Sequence, residues 1–236
     1  KGDFDRHNNW DIYIQDINKK EAIQLTTHPG EDSSPSGASR PKWSPDGKRI
    51  AYQYGGDPDL LWYSLQEVSI IDVQSKETEY ITSSLDRNTA IQSWSEDGET
   101  IYFVIEDDMK SQLARYSMSE KTIEKITPPG YYLSNYSNSY VQRNNKVIFL
   151  ASTTSEPAEL YSLKNGSVTQ LTFHNQDFIN KKAIGSTEEI SLKSFDNEDI
   201  HGMLVKPDNF DPNKKYPLLI RIHGGPVSQY GLSFRF

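Results

Sequence analysis

Cysteine is absent from the 236 residues. That excludes a disulfide scaffold and any thiolate metal site, and it leaves the compartment undecided. Positive charge is also in short supply. Lys and Arg number 25 against 33 Asp and Glu, a net charge of −8 with no basic cluster. Nucleic acid and acidic lipid are therefore not the partners this chain is built for. No apolar run approaches the roughly 18–20 residues that a membrane helix needs. The opening stretch KGDFDRHNNWD lacks the apolar centre of a signal peptide, so cytoplasm and periplasm both stay open. Hydrophobic residues make up only 35%, but aromatics reach 11%, with 14 tyrosines among them. Aromatic side chains supply large buried area where aliphatics are few, and they pack well on pleated surfaces. Composition thus points to β structure.

What the chain has is a repeat. WSPDGKRIAYQY begins at Trp43 and WSEDGETIYFVI at Trp94; both read Trp-Ser-x-Asp-Gly-x-x-Ile-x-aromatic. A degenerate third copy, YVQRNNKVIFLA, begins at Tyr140, with Tyr for Trp and Asn-Asn for Asp-Gly. A second marker closes four polar-apolar segments: Leu25-Thr26, Ile81-Thr82, Ile126-Thr127 and Leu171-Thr172. Four short strands with their turns fill roughly 40–50 residues, the period of a propeller blade.

Each copy has a physical reading. Asp46-Gly47 and Asp97-Gly98 are hairpin dipeptides, because Gly accepts positive φ and Asp bonds local backbone. RPKW and IQSW precede the turns as inner strands; RIAYQY and TIYFVI follow them. Third strands are DIYIQDI, EVSIIDV, LARYSM and ELYSL, and fourth strands end on the Thr marker. This predicts three four-stranded antiparallel blades at about 38–82, 89–127 and 131–172, nearly free of helix. The first 30 residues supply the outer two strands of a preceding blade. The Trp packs between neighbouring sheets and the Asp-Gly makes the turn; the motif carries no chemistry. The tyrosine-rich stretch at 131–140 reads as an inner strand with interblade packing. Over residues 10–172 the repeats resemble those of TolB-like propellers and of propellers in the prolyl oligopeptidase family, a resemblance that speaks for fold and hardly for function.

From Phe173 the rhythm is lost. EEISLKSF and IHGMLV read as two strands around a turn at DNED (196–199), with Pro207 ending the second. A polar loop follows, then Tyr216-Pro217 and the apolar run LLIRI, suited to a buried strand, which ends on His-Gly-Gly-Pro. The stretch SFDNEDIHGMLVKPDNFDPNKKYPLLIRIHGGPVSQYG is similar to the junction of propeller and catalytic domain in the prolyl oligopeptidase family, nearest its acylaminoacyl-peptidase-like branch.

That resemblance implies a mainly β chain, with residues 1–172 a partial β-propeller and 173–236 a linker plus the N-terminal strands of an α/β-hydrolase peptidase domain. It also implies a serine peptidase acting on short peptides, the propeller gating access. Acyl transfer develops an oxyanion, and losing one N–H aimed at it costs about 3–4 kcal/mol of barrier. In α/β-hydrolases one donor follows the nucleophile and another lies in the loop after the third strand. By resemblance Gly224 or Gly225 supplies that second donor, with Gly225 preferred. His223 braces the loop with its ring and is not the triad base, and Pro226 stiffens the exit. Two glycines after a strand also make an ordinary tight turn; the junction sequence favours the oxyanion loop.

The family's Gly-x-Ser-x-Gly, Asp and His do not occur in the required order. The sequence is therefore expected to be a piece of a longer protein and inactive alone. His7, His28, His174 and His201 read as ordinary polar or capping residues. The acidic stretches at 30–34, 55–59 and 106–109 lack the alternating oxygens of a calcium loop and read as solvated loops. Neither metal nor cofactor is expected. Asn165-Gly166-Ser167 reads as a turn. Homo-oligomers stay open, because an incomplete propeller leaves apolar blade faces to cover. The rival reading is a TolB-like propeller serving as a protein-binding module.

Overall fold

Turn chemistry sets the strand pattern. In the computed structural model, which describes residues 9–33, 40–133, 140–143, 146–224 and 229–234, the first hairpin joins β1 (Tyr13–Gln15) to β2 (Ala22–Gln24). An antiparallel sheet follows in the order β3 (Lys42–Trp43), β4 (Arg49–Tyr54), β5 (Glu67–Asp72), β6 (Thr78–Tyr80). A second repeats it with β7 (Thr89–Trp94), β8 (Thr100–Asp107), β9 (Lys110–Ser117) and β10 (Ile123–Lys125). Gly47 and Gly98 turn the first hairpin of each sheet at φ of +70° and +74°, which glycine adopts without strain. The serine of the motif closes that turn. Ser44 Oγ donates to Asp46 Oδ1 (2.6 Å) and accepts from the Arg49 N–H (2.9 Å). Ser95 does the same with Asp97 Oδ1 (2.5 Å) and the Thr100 N–H (2.9 Å).

The Thr markers are equivalent as well. Thr26, Thr82, Thr127 and Thr172 each accept, on Oγ1, the backbone N–H that opens the third strand: Ile12, Val68, Leu113 and Leu160, at 2.8–2.9 Å. The residue before each Thr donates its own N–H to the carbonyl of that same partner. A hydroxyl thus satisfies a strand donor, buried in all but the Leu160 case, where the fourth strand leaves the ladder.

The described residues divide into two compact units. One holds residues 9–107 and 112–127; the other holds 108–111 and those from 128 onward. In the first unit, Phe103, Ile101, Ile91 and Ile105 of the second sheet pack with Ala51, Val68 and Ile70 of the first. Polar bonds tie the same two sheets together. Trp94 Nε1 donates to the Lys42 carbonyl (2.9 Å), and Tyr116 Oη donates to Glu79 Oε1 (2.8 Å). The expected packing of the Trp between sheets therefore holds at Trp94; Trp43 is about half exposed. A smaller cluster of Ile12, Leu25, Ile50, Tyr52 and Ile71 joins the first hairpin to the first sheet.

The third sheet, in the second unit, has one segment more than expected. β11 (Tyr132–Leu133) and β12 (Tyr140–Arg143) both pair with β13 (Lys146–Ser152), one after the other, so the inner strand is split. The middle of the tyrosine-rich stretch, 134–139, lies outside the described residues, as does the Asn144-Asn145 turn. β14 (Glu159–Lys164) and β15 (Ser167–Gln170) complete the sheet around Asn165 and Gly166, both at positive φ. One helical turn, α1 (Gln176–Ile179), follows, and β16 (Ser186–Lys193) pairs with β17 (Asp199–Lys206) as the predicted hairpin.

Of the three acidic stretches, 55–59 and 106–109 keep Asp57, Asp59 and Asp108 exposed as expected, though with regular turns, and only 30–34 departs from a solvated loop. Pro58–Tyr63 winds into a 3₁₀ helix. Asp108 and Met109 are the positive-φ turn of the β8–β9 hairpin. Asp32 is buried. Composition reports polarity, but backbone demand decides each case.

Candidate functional site

The expected site lies in the second unit, on the segment after β17. Residues 217–224 run without a β partner among the described residues. The apolar run was expected to be a buried strand; Leu219 is 92% exposed and Ile222 90%. An apolar run becomes a strand only when neighbouring strands take up its N–H and C=O groups, and among the described residues none does.

His223 follows, exposed, with its ring stacked on Tyr230 (centroids 4.9 Å apart, planes at 20°). Its Nδ1 lies 3.3 Å from the Gly224 carbonyl. Arg221 reaches the same tyrosine, donating to Tyr230 Oη (3.1 Å) with its guanidinium 5.3 Å from the ring centre. Gly224 is exposed, and a Cβ built on it would meet nothing within 4 Å. Gly225 and Pro226 lie outside the described residues.

Beyond the loop, Gln229 fixes the chain to the Asp108–Ser111 turn. It accepts the Met109 N–H on Oε1 (3.1 Å) and donates Nε2–H to the Lys110 carbonyl (3.0 Å). Leu232 N–H adds a bond to the Met109 carbonyl (2.8 Å). Gly231 has no room for a side chain, because the Tyr132 ring occupies the place of its Cβ. Sequence reading missed Arg221, Tyr230 and Gln229. The signal available was an aromatic and an amide within seven residues of His223, too common a pattern to single out.

The remaining histidines are held elsewhere. His28 packs its ring on Tyr54 (4.3 Å), and His201 Nδ1 lies 3.1 Å from Asp108 Oδ1. His174 precedes Asn175, which with the Thr172 hydroxyl donates to the Glu159 carboxylate and holds it low against the opposing effect of burial. His7 lies outside the described residues. Asp108, Glu189 and His201 offer ligand atoms within 4.8 Å of one another. Lys110 Nζ already stands there, 3.4 Å from Asp108 and 3.2 Å from Glu189.

The fold and sequence have recognisable relatives. The chain is 27% identical over 233 residues to dipeptidyl-peptidase 5 of Porphyromonas gingivalis, covering 97% of this chain and 32% of that protein. It is 31% identical over 219 residues to dipeptidyl-peptidase 5 of Trichophyton schoenleinii, covering 84% and 27%. Among solved structures, an acylaminoacyl peptidase from Pyrococcus horikoshii matches with a TM-score of 0.71 at 22% identity, over 96% of this chain and 32% of its own. An acylaminoacyl peptidase in complex with Z-Gly-Gly-Phe-chloromethyl ketone matches at 0.72 and 22%, over 98% and 34%. The propeller domain of a Pyrococcus furiosus protease matches at 0.51. No family model matches. The chain spans about a third of the length of these relatives.

Proposed function

The chain belongs to the prolyl oligopeptidase family, and from that premise we propose that it is part of a serine peptidase that hydrolyses short peptides. The observation that carries this reading is the likeness to dipeptidyl-peptidase 5, which extends over 97% of the chain and so beyond the blades into the tail. On this reading residues 1–172 are a partial propeller that gates access to the catalytic centre. Residues 173–236 are a linker and the opening strands of an α/β-hydrolase domain. The exposed apolar run at 218–222 supports it, since such a run suits a strand that enters a larger sheet.

The His223-Gly224-Gly225 loop is the proposed oxyanion donor, with Gly225 N–H aimed at the developing charge. A serine supplied from outside these 236 residues attacks the scissile carbonyl, with a His as general base and an Asp orienting it; these residues alone are then inactive. The open space around Gly224 supports close approach of a substrate carbonyl. The clamp of Tyr230 on His223 and Arg221 supports a loop of fixed geometry, which oxyanion stabilisation requires.

The test is steady-state hydrolysis of a chromogenic dipeptidyl substrate by a protein of the relatives' full length. Gly225→Ala lowers kcat roughly 10²–10³-fold with a much smaller change in KM, because the ground-state carbonyl uses the donor weakly. Gly224→Ala, which meets no neighbour, hurts less. A folded Gly225→Ala enzyme with near-normal kcat shows the loop to be a turn and no more.

A further inference from the structure

Asp32 sits where the chain leaves the first hairpin for the first sheet. Its backbone is tied on both sides: its N–H donates to the Trp10 carbonyl (2.9 Å), and the Ser33 N–H donates to the Gln53 carbonyl (2.8 Å). The side chain is shut from solvent, the residue being 2% exposed, yet neither carboxylate oxygen has a hydrogen-bond partner. Burial dominates and pushes the carboxyl up to about 7, while the nearby Thr26 hydroxyl and Gly55 backbone pull it the other way.

Asp11, next to Trp10, adds to the same deficit. Its Oδ2 accepts from Gln24 Nε2 (2.9 Å), while its Oδ1 is buried without a partner. Its negative charge acts on Asp32 and on His28 alike. His28 Nδ1 accepts the Gly30 N–H (3.0 Å) and faces Asp32 Oδ1 across 4.0 Å. Acceptor therefore faces acceptor. Among the described residues no lysine or arginine comes within ion-pairing distance of Asp11 or Asp32.

Buried carboxylates in native structures are paired, protonated or coordinated to metal. One proton cannot satisfy three unpartnered oxygens on two carboxylates. Oxygen-only donors of negative charge suit a hard cation, and calcium tolerates irregular shells completed by backbone carbonyls and water. We propose that Asp32 and Asp11 bind a divalent cation of the calcium class where the β1–β2 hairpin meets β4, with Asp32 the buried ligand. The His28 nitrogen, committed to Gly30, orients the loop rather than ligating. Asp11 lies just before β1 and Asp32 beyond β2, on either side of the hairpin, which is why no loop spacing announces them.

The test uses the 236-residue chain with calcium alone and with terbium as its luminescent surrogate. Tyr54, its ring 4.3 Å from that of His28, is the expected sensitiser. Calcium binds at one per chain and displaces terbium luminescence excited through tyrosine. Asp32→Asn and Asp11→Asn each weaken calcium binding at least tenfold. Asp108→Asn, at the exposed Asp108-Glu189-His201 cluster, leaves it unchanged. No saturable calcium binding by the wild type overturns the proposal. So does binding that survives Asp32→Asn but is lost in Asp108→Asn. Should Asp32→Asn lose its β circular dichroism, Asp11→Asn decides, and unchanged affinity there overturns it.

Discussion

Thr82 illustrates how a single atom sustains a blade. Its Oγ1 accepts the Val68 N–H at 2.8 Å, and both residues are fully buried. Thr82→Val keeps shape and removes the acceptor, so a buried donor is left unmet. The expected cost is about 1–3 kcal/mol, read as a lower urea midpoint with unchanged slope, while Thr82→Ser retains most of the stability. A valine variant as stable as wild type contradicts the role. Asp32 makes the second prediction at this scale. Its folded pKa of about 7 lies above the ordinary 3.8, so the folded state holds a proton that the unfolded state has released between those values. Stability from this group is therefore present at low pH and lost as pH rises through about 7. In chelating buffer, Asp32→Asn should exceed wild type in melting temperature at pH 8, with the gap closing toward pH 4; a gap independent of pH counts against it. Of these residues the sequence displayed the Thr markers plainly, because they recur. It concealed the work of the hydroxyl, because Thr serves equally well as a β-former. It concealed Asp32, because Gly-Glu-Asp-Ser-Ser has the composition of a solvated loop.

At the scale of elements, strands were legible wherever a turn dipeptide and alternating apolar residues agreed. β4, β8, β14 and the β16–β17 hairpin stand where Asp-Gly, Asn-Gly and DNED place them. The split of the third sheet's inner strand is read through in the sequence, since four tyrosines in ten residues favour a strand over the Ser-Asn pairs at 134–135 and 137–138 between them. The apolar run before His223 misled for the opposite reason. Its sequence is that of a strand, but strand structure belongs to a pair of segments. The site loop inherits this difference: the motif singled out His223 and Gly224, while the clamp of Tyr230 on His223 and Arg221 belongs to the folded chain. Hydrogen exchange separates the two kinds of segment. Amides of residues 218–222 should exchange within seconds at neutral pH, while those of β8, buried at Ile101 and Phe103, approach the protection of global unfolding. Protection of 218–222 comparable to β8 contradicts the absence of a strand there.

For the whole molecule, the same run is a liability. Leu218, Leu219, Ile220 and Ile222 stand at least 74% exposed within five residues, and contiguous apolar surface of this kind draws a partner. The 236-residue chain is expected to associate with itself, seen as concentration-dependent sedimentation and binding of a hydrophobic dye. Replacing Leu219 and Ile222 by Lys should suppress both; a compact wild-type monomer that takes up no dye refutes this. The Thr bonds carry a further consequence, for time rather than for strength. Each links residues only 12–14 apart along the chain. A ribosome extruding this sequence therefore releases each outer hairpin with its latch complete, before the next begins, and the loop-closure entropy at each step is small. Pulse-labelled exchange during refolding should find the Ile12, Val68, Leu113 and Leu160 amides protected ahead of the bond from Trp94 to Lys42, which spans 52 residues.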